Sequence, residues 1–123
     1  MPLAFLLDEH LRGRRLGHAI RQHNTRGADP IDVIRVGDPP DLPLGSTDPA
    51  VLLWAERAGR ILVTLDRHTL PGHLADHLRA GHQSPGVLLV RRHASLSQIV
   101  SYLALIAHVG DPSDFLDRLE YIP

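Results

Sequence analysis

The run Leu3-Ala-Phe-Leu-Leu7 closes abruptly in two acids, Asp8 and Glu9. Five apolar residues without alternation read as a strand buried on both faces, and a sheet with helices on both sides is what buries such a strand. A second run, Arg60-Ile-Leu-Val-Thr-Leu65, stops in the same way at Asp66. If the two strands are parallel, both deliver acids to one edge, the edge where open α/β sheets place their chemistry.

The rest of the chain alternates in the same rhythm. Residues 9 to 24 carry a helical stripe of Leu11, Leu16, Ala19 and Ile20, weakened by Gly13 and Gly17. Ile31 to Val36 reads as a strand, and the three prolines among residues 37 to 45 make a rim loop. Asp48 as cap and Pro49 as first helical residue open a helix that runs to about Ala58 and ends at Gly59. Pro71 to about Ala80 is a helix beside Leu70, Leu74 and Leu78, and Val87 to Val90 a strand. Ser95 to Val109 is the last long helix, capped by Ser95 or Ser97, with Leu96, Ile99, Val100, Leu103, Ile106 and Ala107 facing the core. Leu119-Glu-Tyr-Ile-Pro reads as a short edge strand. This order predicts a three-layer α/β/α sandwich around a central, mainly parallel sheet of four to five strands. With 123 residues and 43% apolar content, one core and a single domain over 1–123 are expected.

All thirteen cations are arginine. The lack of lysine excludes phosphate-binding P-loops and Schiff-base enzymes. There is no cysteine, which excludes disulfide frameworks and thiolate metal sites and fits a reducing compartment. The first residues lack the basic segment of a secretion signal, so a cytoplasmic location is expected.

Two carboxylates about 4 Å apart repel by roughly 4 kcal/mol at an effective dielectric near 20, so converging acids need a cation or a proton between them. Mg²⁺ or Mn²⁺ suits oxygen ligands and can activate a bound water against a phosphodiester. Taken singly, each acid has a structural explanation: Asp48 as a cap, Glu9 in a first helical turn, Asp66 as a strand end. Their combination points to a shared metal site.

Phe5-Leu-Leu-Asp8-Glu9-His10, the helix start Asp48-Pro-Ala-Val-Leu-Leu53, Gly59-Arg-Ile-Leu-Val-Thr-Leu-Asp66 and Ser84-Pro-Gly-Val-Leu-Leu-Val90 together resemble the small prokaryotic PIN-like proteins of unassigned function. The resemblance implies a PIN-like fold and Mg²⁺- or Mn²⁺-dependent RNA cleavage. It also implies the role of a toxin paired with an antitoxin, as in relatives among PIN domains. By it, Asp8, Asp48 and Asp66 map to the acidic metal site, with Glu9 beside them as a catalytic acid. Two departures stand out: His10 where many members have asparagine, and His68 where they have a further acid. The second weakens a two-metal reading and leaves open a decayed, interaction-only module.

Arg12, Arg14 and Arg15 follow the first strand, Arg67 the third, and Arg91 and Arg92 the fourth, where cations would frame the acids and hold phosphates. Arg12, Arg15, Arg67, His10 and His68 are the expected substrate contacts. With two Phe, two Tyr and one Trp, base-stacking platforms are scarce, and Trp54 reads as core or interface. His73 and His77 stand one helical turn apart, but no cysteine or second histidine pair completes a zinc set. A helix bordering its core explains them.

The main rival from another class is a phosphate-accepting receiver domain, which needs a lysine after its last strand. Tyr102, Leu105 and Val109 form a second apolar strip on the last helix, from which a homodimer is expected.

Overall fold

A computed structural model describes residues 2–27 and 29–122. Its sheet has five strands, β1 (Ala4–Leu7), β2 (Asp32–Arg35), β3 (Ile61–Thr64), β4 (Val87–Val90) and β5 (Leu119–Ile122). All neighbouring pairs are parallel, in the order β2-β1-β3-β4-β5. Four helices complete the sandwich: α1 (Leu16–Thr25), α2 (Asp48–Ala58), α3 (Leu70–Arg79) and α4 (Leu96–Val109). Successive strand residues face opposite layers. Phe5, Leu7, Val63, Leu88 and Val90 pack with Leu16 and Ile20 of α1 and with Ile99, Leu103 and Ile106 of α4. Leu6, Leu62 and Val87 pack on the other side with Val51, Leu52 and Ala55 of α2 and with Leu70 and Leu74 of α3. Trp54 is half-buried against this second core.

The segment expected as one helix over 9 to 24 is two pieces. A 3₁₀ turn occupies Glu9–Arg14, Arg15 adopts φ 59°, and α1 begins only at Leu16. Asp8 caps the turn through its side chain, and the Leu11 amide closes on the Asp8 carbonyl at 3.0 Å. The left-handed residue resets the helical phase, so that Leu11 and Leu16 both reach the same core.

The cap of α2 also differs from expectation. Thr47, not Asp48, accepts the Ala50 amide, at 3.4 Å, and Asp48 is the first helical residue. The Asp48 carboxylate is thereby released from capping. Of the two serines considered for α4, Ser95 caps it, in a reciprocal pair with Gln98. Gly59, at φ 68°, ends α2 in the left-handed conformation. The proline-rich loop is held in place by Gly37 N–H to Leu42 carbonyl at 2.8 Å and by Leu42, which is fully buried. Among the described residues no helix is long and apolar enough to cross a membrane.

Candidate active site at the carboxyl edge of the sheet

The strand order turns between β1 and β3: the chain goes outward to β2 on one side and to β4 and β5 on the other. Crevices of doubly wound sheets form at such a reversal, beyond the carboxyl ends of the strands. Asp8 follows β1, and Asp66 lies two residues beyond the end of β3.

Asp8 is buried, with Oδ1 accepting the Glu9 amide at 2.8 Å and Oδ2 accepting the Thr64 hydroxyl at 2.7 Å. Thr64 Oγ1 in turn accepts the Asp66 amide at 3.1 Å, so one fully buried hydroxyl ties the ends of β1 and β3 together. Asp66 Oδ1 accepts the amides of His68 at 3.0 Å and Thr69 at 2.9 Å. The Thr69 hydroxyl bonds Asp66 Oδ2 and lies 3.4 Å from Asp48 Oδ2. A hydroxyl has one proton, so the two carboxylates share it. His10 Nδ1 stands 3.7 Å from Asp8 Oδ2, and His73 Nε2 3.7 Å from Asp48 Oδ2.

The acids respond differently to this setting. Burial pushes the Asp48 carboxyl up, and the charges of Asp8 and Asp66 add to it against the opposing pull of His73. Burial also acts upward on Asp66, but the hydrogen bonds from the Thr69 hydroxyl and from the Thr69, His68 and Leu70 amides outweigh it and hold the carboxyl below its usual range. Asp66 is thus a fixed anion, and Asp48 is the acid with electrostatic strain to release.

Asp8, Asp48 and Asp66 therefore gather at one edge, but not into a closed cage. Among the described residues, only Glu56, His77 and His82 bring three ligand atoms within 4.8 Å of one another. Opposite ligands of an octahedral Mg²⁺ stand about 4.2 Å apart. Asp8, Asp48 and Asp66 would hold a hard ion that keeps several of its own waters, as Mg²⁺ does.

The other expected site residues divide. The carboxylate of Glu9 accepts the Gly45 amide at 2.9 Å and anchors the loop that leads to α2. Arg12 donates to the Val36 carbonyl at 3.1 Å and to Asp38 at 2.9 Å, and so holds the 3₁₀ turn to the same loop. Both thus have loop-holding contacts at the rim of the site. Arg15 is exposed at the left-handed link. Arg67 and His68 line a cavity of about 680 Å³ together with Arg91, Arg92, His93 and Tyr121. The Arg91 guanidinium lies over the Tyr121 ring, 4.8 Å from its centroid.

Thr64, Thr69, His73 and Tyr121 are absent from the residues expected by sequence. Thr64 had a legible signal: a hydroxyl closing an aliphatic strand two residues before an acid. His73 and His77 share a helix but reach different acids, Asp48 and Glu56. No family model, curated protein or solved structure matches the chain.

Proposed function

We propose that the carboxyl edge is a Mg²⁺- or Mn²⁺-dependent site for hydrolysing RNA phosphodiesters. The observation that carries this reading is the gathering of Asp8, Asp48 and Asp66 at the sheet's reversal, with Asp48 pushed up by burial and by the other two acids. A divalent ion bound there would supply positive charge to a phosphate and lower the pKa of an attacking water. Asp8, locked by Thr64, and Asp66, locked by Thr69, present oxygens in fixed positions, and oxygens that need not reorganise hold a hard ion best. A cation there would also relieve the repulsion that Asp8 and Asp66 exert on Asp48. The arginine-lined cavity beside Asp66 provides counter-charge for the flanking phosphates of a single strand.

The strand order also serves receiver domains, so the fold alone does not choose the chemistry. Against that rival stand the absence of lysine and the engagement of both Asp66 oxygens. A second reading, an interaction module that has lost its chemistry, is favoured by His68 in place of an acid and by the open spacing of the carboxylates. A toxin's pairing with an antitoxin belongs to the first reading and is tested by inhibition of cleavage by the product of a neighbouring gene.

The deciding assay is cleavage of a mixed RNA pool in Mn²⁺ by wild type, Asp8→Asn and His68→Asp. Cleavage by wild type, lost in Asp8→Asn and raised in His68→Asp, supports the nuclease, since an added oxygen ligand suits a hard ion better than imidazole. Silence from all three, with no Mn²⁺-dependent rise in thermal stability, leaves the interaction module.

A further inference from the structure

The far ends of α2 and α3 carry a second cluster of ligand atoms. Glu56 Oε1 lies 3.0 Å from His77 Nε2 and 3.3 Å from His82 Nδ1, and the three atoms all fall within 4.8 Å of one another. Glu56 Oε1 is buried yet receives no hydrogen bond among the described residues. The reason is visible in His77: its Nε2 faces the Gln83 carbonyl at 2.8 Å, and a carbonyl only accepts, so the single N–H there is spent on Gln83. A carboxylate oxygen is thus buried between two imidazole nitrogens without a hydrogen bond to satisfy it.

We propose that Glu56, His77 and His82 bind a zinc-class divalent transition ion. Zinc with bonds of about 2.0–2.1 Å to nitrogen and oxygen holds tetrahedral neighbours roughly 3.3 Å apart, close to the separations here. Two imidazoles with one carboxylate select such an ion over Mg²⁺, which prefers an all-oxygen set. The setting is cation-favouring: Glu56 and His77 lie in the last turns of α2 and α3, where the helix dipoles present their negative ends. A cavity of about 520 Å³ lined by Glu56 and Gln83 lies beside the cluster, with Leu3 and Ile61, at the opposite edge of the sheet from Asp8.

Binding asks for two adjustments. The His77 and His82 rings are stacked, 4.8 Å between centroids and 21° between planes, so one must tip for both nitrogens to face a common ion. His82, with its side chain 44% exposed, is free to turn, whereas His77 is fixed. Binding through Nε2 also requires the His77 proton to move to Nδ1, so the ring gives up its hydrogen bond to the Gln83 carbonyl. Loaded, the site would staple α2 to α3, the helices that carry Asp48 and His73 toward the other edge.

The test is titration of chelator-treated protein with Zn²⁺ alone, read by calorimetry and thermal melting, in an Asp8→Asn background that removes an acid of the carboxyl edge. One Zn²⁺ per chain and a raised melting temperature are expected. His82→Ala and Glu56→Gln should each weaken Zn²⁺ by more than about tenfold, while exposed His18→Ala leaves it unchanged. Circular dichroism of the two variants without metal confirms that they fold. Absence of saturable one-to-one binding, or equal binding by His82→Ala and the parent, overturns the site. Because the readout is metal affinity, failure here is separate from failure of RNA cleavage.

Discussion

Asp48 combines a helix start, partial burial and two neighbouring acids, and its effect on stability follows from sign alone. A carboxyl whose folded pKa is raised favours folding while protonated, and that benefit disappears as pH rises through the folded value. At neutral pH the charge at Asp48 opposes folding. Asp48→Asn should raise the metal-free melting temperature by roughly 2–4 °C and abolish any gain from Mn²⁺, as melting curves with and without the ion will show. Asp38 runs the other way: hydrogen bonds from Arg12 and Arg35 hold its carboxyl below the usual range. Its contribution is present above the ordinary carboxylate pKa and is lost as pH falls through the lower folded value. Asp38→Asn should cost less than about 1 kcal/mol at neutral pH, since the pair is solvent-screened, and should flatten the acid limb of a stability profile. Thr64→Val removes the buried hydroxyl that satisfies Asp8 while keeping its shape. A loss of about 1–3 kcal/mol in denaturant unfolding is expected, with Thr64→Ser losing less.

The three central strands were legible because short, nearly unbroken apolar runs bounded by turn residues have few other readings, and α4 because its capping serine and apolar stripe agree. The break at Arg15 was not. Nothing in Leu11-Arg-Gly-Arg-Arg-Leu16 demands a left-handed residue; the demand arises because Leu11 and Leu16 must enter one core from two different helical phases. Asp48 was legible as a helix start but misassigned as the cap, because Thr47 and Asp48 are both good caps and only the backbone decides between them. The acids' convergence followed from parallel strands, but Thr69 flanks and His73 lies in a helix whose rotation about its axis no periodicity fixes to within one residue. Arg15 itself yields a test. A non-glycine residue at φ 59° is strained, so Arg15→Gly should stabilise the fold by roughly 0.5–1 kcal/mol. If Arg15 also holds a phosphate, the same variant binds RNA less tightly and with a shallower salt dependence, by about one counterion.

Both edges of the sheet are guarded against pairing with another chain. β2 carries Asp32 and Arg35, with Asp32 bonded to Arg60 at 2.9 Å, and β5 carries Glu120. Charged, short edge strands discourage growth of the sheet from one copy to the next. The apolar surface left over lies instead on α4, where Leu105 is 59% and Val109 73% exposed, one helical turn apart. Tyr102, half-buried, precedes Leu105 on the same side, and burial followed by the charge of Glu120 pushes its hydroxyl up. Spacings of three and four residues make one strip, and we propose that two copies pack strip against strip in an isologous contact. The strip is only a few side chains long, so the association proposed from it would be weak. Light scattering across a concentration series should show a monomer giving way to a dimer. Leu105→Glu with Val109→Glu should hold the chain monomeric at the same melting temperature as dilute wild type, because neither side chain contributes to the core. A wild type that stays monomeric throughout would mean that the outer face of α4 has another use, whereas a dimer indifferent to both substitutions would place the contact elsewhere.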